Sequence, residues 1–203
     1  MQYRIPFALM ALALCSSATF AQTHPFEGPS AALNLGLYSN STEISSSTDT
    51  LNGLGQTTQG ANIQGAWGWA VSPSWIFSVG ASYNLTDQSA GNANLLGGAV
   101  NLKRRNAWSV YMEPGIKVSD QTLVYAKVGY ENGNLRVEGT GSSFDKTMDG
   151  AGYGLGIRTM LDSNLYLQAE IKQIYYTAVS VPGQATDLKT QATEGLFGIG
   201  YQF

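Results

Sequence analysis

Seven charged side chains fall on one set of alternate positions and could do chemistry together. Glu113, Lys117, Lys127, Glu131, Arg158, Glu170 and Lys172 share that face with Tyr111, Tyr125, Tyr166 and Tyr176. Charges held away from water must pair, because an isolated buried ion is too costly to keep. Folding the chain about Asp120 sets Glu113 opposite Lys127. Folding it about Ser163 sets Arg158 opposite Gln168 and diagonal to Glu170, within reach of long side chains. The expected result is a structural salt-bridge plug. The alternative is a gate or ion path made of the same groups.

Three further groups invite a chemical reading. Lys103, Arg104 and Arg105 are consecutive cations at the end of a Gly- and Asn-rich connection, a composition suited to contacting phosphates. His24 is the only histidine. Acyl-transfer chemistry needs a base held beside a nucleophile, and His24 lies in a polar leader, so no catalytic residue is expected and the chain is not read as an enzyme. Asp145 and Asp149 flank a loop, but two carboxylates do not specify calcium, which takes 6–8 oxygen ligands. With no His/Cys cluster either, neither metal nor cofactor is expected. The glycines of Gly150 to Gly156 stand at strict alternate positions with no helix after them, unlike a phosphate loop.

The elements that must position these groups are strands. Eight stretches alternate apolar and polar, with no helical period between them. They run approximately over residues 31–38, 59–71, 75–85, 105–118, 122–137, 149–161, 165–177 and the closing stretch to Phe203. One face is apolar throughout: Leu33, Leu35 and Leu37; Trp67, Trp69 and Val71; Trp75, Phe77, Val79 and Tyr83; Trp108, Val110 and Met112; and so on to Phe197, Ile199, Tyr201 and Phe203. Glycines 150, 152, 154 and 156 fall on the other face, leaving room for Tyr and Lys side chains from neighbouring strands. Pro114 interrupts the fourth stretch, where it removes a ladder hydrogen bond, and is expected to mark a bulge or kink.

The connections alternate long and short. Ser72-Pro73-Ser74, Ser119-Asp120-Gln121 and Asp162-Ser163-Asn164 are tight turns, whereas 39–58, 86–104, 138–148 and 178–191 read as long polar loops. Residues 1–21 read as a secretory signal peptide, with Arg4, an apolar run from Phe7 to Cys15 and Ala21 before the cut. Residues 22–203 then form one domain without cysteine. Lys and Arg number 11 against 14 Asp and Glu, so nothing favours nucleic-acid binding. An apolar face without a partner layer needs lipid, and only a closed barrel crosses lipid with every backbone group paired. The expectation is an all-β, eight-stranded antiparallel transmembrane barrel, monomeric, with short periplasmic turns, long extracellular loops and aromatic residues at both interfaces. Lipid-facing charge costs about 2–4 kcal/mol for Lys or Arg at the midplane, so the charged face must line the interior. The basic triplet is then expected at the outer leaflet, against lipopolysaccharide phosphates, with an unidentified extracellular ligand possible at the loops.

The ending Phe197-Gly198-Ile199-Gly200-Tyr201-Gln202-Phe203 and the stretch Leu123 to Tyr130 (Leu-Val-Tyr-Ala-Lys-Val-Gly-Tyr) resemble the small eight-stranded outer-membrane proteins of Gram-negative bacteria, notably the opacity-protein-like porin family. The resemblance implies an outer-membrane location and a structural, adhesive or protective role. A narrow porin-like channel, or a lipid-modifying enzyme, is the alternative. It also implies that Ile199, Tyr201 and Phe203 are read by the barrel-assembly machinery.

Overall fold

The computed structural model describes residues 25–46, 50–95, 98–139, 142–180 and 186–203. The segment read as a signal peptide, with Cys15, and also His24 lie outside them. The described residues form ten strands: β1 (Gly28–Ser46), β2 (Thr50–Ser72), β3 (Trp75–Asn84), β4 (Gln88–Leu95), β5 (Gly98–Ser119), β6 (Thr122–Gly139), β7 (Ser142–Met160), β8 (Leu165–Tyr176), β9 (Val179–Ser180) and β10 (Thr186–Gln202). Every pairing is antiparallel. β1, β2, β3, β5, β6, β7, β8 and β10 follow one another around a ring that closes where β1 pairs with β10. This is the eight-stranded barrel expected from alternation. β4 and β9 stand outside the ring order, β4 folded back on β5 and β9 on β10.

Side chains obey the two-residue period. Leu35, Val71, Leu155 and Ile171 are 60–71% exposed on the outer wall, while Tyr111, Tyr125, Tyr166 and Tyr176 are buried inside. The outer wall is continuous across strands: Leu33 stands opposite Ile199 on one side and Ile63 on the other. Aromatic rings pair at both margins: Trp108 with Tyr130 and Tyr153 with Tyr175 at the end away from the short turns, ring centroids about 6 Å apart, and Trp67 with Trp69 near the short turns at 6.4 Å. These are the interface girdles of a lipid-embedded barrel.

Two expectations are corrected. The long polar segments are largely strand rather than loop: β1 runs on to Ser46, β2 begins at Thr50, and β4 with the start of β5 forms a hairpin inside 86–104. Above the lipid the outer face no longer needs apolar side chains, so the alternation that marks a strand fades while backbone pairing continues. Pro114 marks no bulge, since Met112 opposes Val128 and Gly115 opposes Tyr125, which is one unbroken register. The bulge lies seven to eight residues earlier. Arg105 pairs with Asn134 but Trp108 with Asn132, so Asn106 and Ala107 together oppose Gly133. Asn106 has φ +49°, a left-handed conformation that Asn tolerates better than most residues.

The ladder between β2 and β3 also has a definite end. Thr86 Oγ1 accepts the Ala61 N–H at 3.3 Å in place of a further backbone rung.

Inside, three levels stack along the axis. At the short-turn end Phe26, Ala32, Ile76, Leu123, Tyr125, Met160 and Tyr166 form an apolar cluster. At the opposite end Ala90, Leu102, Leu135, Met148, Ile174, Tyr176 and Ala192 form another. The charged residues lie between them.

Candidate functional site

The central level is built from alternate residues of β5 to β8 and β10. The buried charges are four cations, Arg104, Lys127, Arg158 and Lys172, and four carboxylates, Glu113, Glu131, Glu170 and Glu194. Their charges cancel. Low polarity around them makes each unpaired ion expensive, and the side chains interlock accordingly.

The layer nearer the short turns centres on Lys127. Its Nζ lies 3.1 Å from Glu113 Oε1 and also bonds Glu170. It stands 4.1 Å above the Tyr111 ring, an additional cation–π contact. Arg158 reaches Glu113 at 3.4 Å and lies between the rings of Tyr125 and Tyr166. It also donates to Gln168 Oε1. Gln168 passes the network on, donating to Asn34 at 2.7 Å and Gln64 at 3.2 Å. From Asn34 an amide ladder continues through Asn62 to Asn84 across β1, β2 and β3.

The second layer centres on Glu194. Lys172 Nζ lies 3.0 Å from Glu194 and 3.1 Å from Glu131. Arg104 bonds the other Glu194 oxygen, donates from Nε to Gln88 at 2.7 Å and from Nη1 to the Tyr176 hydroxyl at 2.7 Å.

The glycines on β7 give both layers their space. A Cβ at Gly156 would come 2.3 Å from the Tyr125 ring, and one at Gly152 would come 2.7 Å from the Glu131 carboxylate.

Of the seven charges read from alternation, Glu113, Lys127, Glu131, Arg158, Glu170 and Lys172 are brought together. Lys117 is not: it sits half-exposed near the β5–β6 turn and joins neither layer. Arg158 stands opposite Gln168 as its register requires, yet its carboxylate partner is Glu113 and not the diagonal Glu170. Arg104 is the larger correction. Expected at the outer leaflet with Lys103 and Arg105, it is 1% exposed in the interior. The bulge at Asn106–Ala107 explains this. Even-numbered residues of β5 face lipid after the bulge, as Trp108 and Val110 do, and face inward before it, as Leu102 and Arg104 do. Glu194 was also overlooked, although its parity with Leu196, Gly198 and Gln202 on β10 carries the signal.

Outside, beyond the aromatic margin, three further basic residues pair with acids. Lys103 lies 3.1 Å from Glu138, Arg136 bridges Glu138 and Asp145, and Arg105 lies 2.8 Å from Asp87. The hydrogen bond from Lys103 holds the Glu138 carboxyl below the usual carboxylate range. Ile199, Tyr201 and Phe203 line the lipid face, Tyr201 and Phe203 edge to face with centroids 5.0 Å apart.

The family model described as "Outer membrane protein beta-barrel domain" matches residues 7–203. The chain belongs to this family. As a member it is an integral barrel of the Gram-negative outer membrane. Among solved structures it is similar to OprG of Pseudomonas aeruginosa, an outer membrane protein, with 12% identity, 90% of this chain and 98% of that one covered, and a TM-score of 0.54. It is also similar to OmpT, the outer membrane protease of Escherichia coli, with 9% identity, coverage of 88% and 98%, and a TM-score of 0.52. A third likeness is to Ail, the attachment invasion locus protein of Yersinia pestis, solved with the heparin analogue sucrose octasulfate. It has 13% identity, coverage of 87% and 99%, and a TM-score of 0.50. At such identities the likeness concerns the fold, and neither protease nor attachment activity transfers with it. A search of curated proteins finds no match.

Proposed function

We propose that this protein is a sealed, monomeric scaffold of the outer membrane, which stabilises the membrane and presents its extracellular strand extensions for surface interaction. The observation that carries the reading is the interior: four cations and four carboxylates interlocked between two apolar clusters. A water-filled pore would leave these charges hydrated and separable. Here they are buried, each within ion-pair distance of an opposite charge, and covered at both ends.

Two surface roles accompany the scaffold. Lys103 and Arg105, exposed beyond the girdle, contact phosphates of lipopolysaccharide, and Arg104 is no longer part of that set. Ile199, Tyr201 and Phe203 serve as the segment recognised by the barrel-assembly machinery.

Single-channel recording in a planar bilayer tests the sealed reading. Silence after folding is established by a boiled-versus-unboiled gel shift is the expected result. Discrete openings altered by Glu113→Gln or Lys127→Met would overturn it in favour of a narrow channel whose gate is the ion-pair layer.

A further inference from the structure

The segment Pro25–Glu27 precedes the first strand and belongs to no loop, yet Phe26 is 1% exposed. Its ring sits in the apolar cluster at the short-turn end, with Ile76, Leu123, Met160 and Tyr166. Its backbone has φ +72°, a conformation rare for any residue with a side chain and exceptional for a bulky one. Such conformations persist only where the surroundings impose them.

The surroundings here are specific. Gly68 pairs with Gly28, and a Cβ at Gly68 would come 2.2 Å from the Phe26 carbonyl oxygen. Only glycine lets the segment turn inward at that point. Gln202 then straps it in place: its Nε2 donates to Glu27 O at 2.7 Å and Pro29 O at 3.1 Å, while Phe203 N donates to Pro29 O at 2.9 Å. Tyr125 and Tyr166, two members of the same cluster, hold Arg158 of the lower ion-pair layer between their rings.

We infer that residues 25–27 are a displaceable stopper for the periplasmic mouth of the barrel, with Phe26 as its plug, Gly68 as the clearance that lets it enter and Gln202 as its strap. The inference rests on the sealed-barrel reading and assigns the seal at that end to a particular segment. The strained backbone opposes docking and the buried ring favours it, so the segment has a docked and a released state. Release uncovers the lower ion-pair layer at Arg158 without disturbing any ring strand.

Met160→Cys places a thiol in the socket, on the same face of β7 as Arg158. Residues 22–203 otherwise contain no cysteine. Reaction of that thiol with a polar maleimide is followed by peptide mass spectrometry in the full protein extracted from outer membranes in detergent. Slow labelling in the Met160→Cys parent, accelerated about tenfold or more by Phe26→Ala, is the result expected from loss of a buried aromatic ring. Gly68→Ala, which keeps the ring but blocks its approach, accelerates it as well. Should Phe26→Ala fail to fold, Gly68→Ala and Phe26→Leu are compared in its place, with Phe26→Leu the slower to label. Equal, slow rates in all folded variants would overturn the stopper and leave the sealed barrel standing. Fast labelling of the parent itself would overturn both.

Discussion

Lys127 Nζ lies 3.1 Å from Glu113 Oε1 across the β5–β6 pair, with both side chains within 3% of full burial. The two residues do not depend on each other equally. Glu113 retains Arg158 if Lys127 is lost, whereas among the described residues Glu170 has Lys127 as its only cation within ion-pair distance and otherwise receives only the Tyr125 hydroxyl at 3.2 Å. Stranding a buried charge costs about 3–5 kcal/mol, while replacing both partners by well-packed neutral groups is often neutral. Lys127→Met is therefore expected to lower the unfolding free energy by about 3–5 kcal/mol in urea titrations followed by gel shift. Adding Glu170→Gln should restore most of it. A double variant as unstable as the single one would show that packing, and not the ion pair, sets the cost.

Asn106 decides which way Arg104 points, because the bulge it forms with Ala107 reverses the inward parity of β5. Asn106→Val forces a β-branched residue to φ +49° and should cost about 1–3 kcal/mol. Asn106→Gly, at ease with that angle, should be neutral or mildly stabilising. Deleting Asn106 restores plain alternation and would place Arg104 on the outer wall. Loss of folded, heat-modifiable protein is expected for the deletion alone. A deletion variant as stable as the parent would mean that the bulge does not set the phase.

How much could be read from alternation follows the same logic. The lipid-facing rows were legible because lipid tolerates only apolar side chains, so every second residue had to declare itself. The central ion pairs were legible as a set, since charges barred from lipid have nowhere else to go. Their partners were less so: Arg158 chose Glu113 on β5 over Glu170 on the adjacent strand, a contact across the lumen that no two-strand register contains. Above the lipid the constraint vanishes, and β4 and the ends of β1 and β2 passed for loop. Phe26 left no periodic trace at all, because it reaches the core through one unusual backbone angle.

Gly156 and Gly195 provide a matched pair for interior space. A Cβ at Gly156 would meet the Tyr125 ring at 2.3 Å, whereas one at Gly195, on the outer wall, meets nothing within 4 Å. Gly156→Ala should destabilise by about 1–3 kcal/mol through overpacking, displacing Tyr125 from Glu170 and Arg158. Gly195→Ala should be neutral or slightly favourable. Urea midpoints of the two variants decide this, and a shared cost would point to backbone entropy or strand geometry in place of crowding.

Asp162 governs the β7–β8 turn. Its Oδ1 accepts the backbone N–H groups of Leu165 at 2.7 Å and Asn164 at 2.8 Å, and these bonds, Leu165 first, hold its carboxyl below the usual value near 3.8. The folded pKa is depressed, so the stabilisation is fully present above the unfolded value and is lost as pH falls through the folded one. The stability gap between the parent and Asp162→Ala should be constant at neutral pH and shrink below about pH 4. A gap unchanged down to pH 2 would show that the turn is held by groups other than the ionised carboxylate.

Lys103 and Arg105 form exposed ion pairs, and exposed pairs contribute little to folding, about 0–1 kcal/mol. Converting both to Gln should leave unfolding nearly unchanged, so a binding defect can be separated from misfolding. Arg104→Gln, by contrast, strips one of two cations from buried Glu194 and should cost about 3–5 kcal/mol. Basic residues near an anionic lipid surface contribute about 1 kcal/mol each, roughly fivefold in affinity per residue. The double Gln variant should therefore bind lipid A vesicles more weakly than the parent, and lose that difference when the lipid A is dephosphorylated. Equal binding of parent and variant to phosphorylated vesicles would remove these two residues from the lipopolysaccharide contact. A defect that persists on dephosphorylated lipid would point to recognition of something other than phosphate.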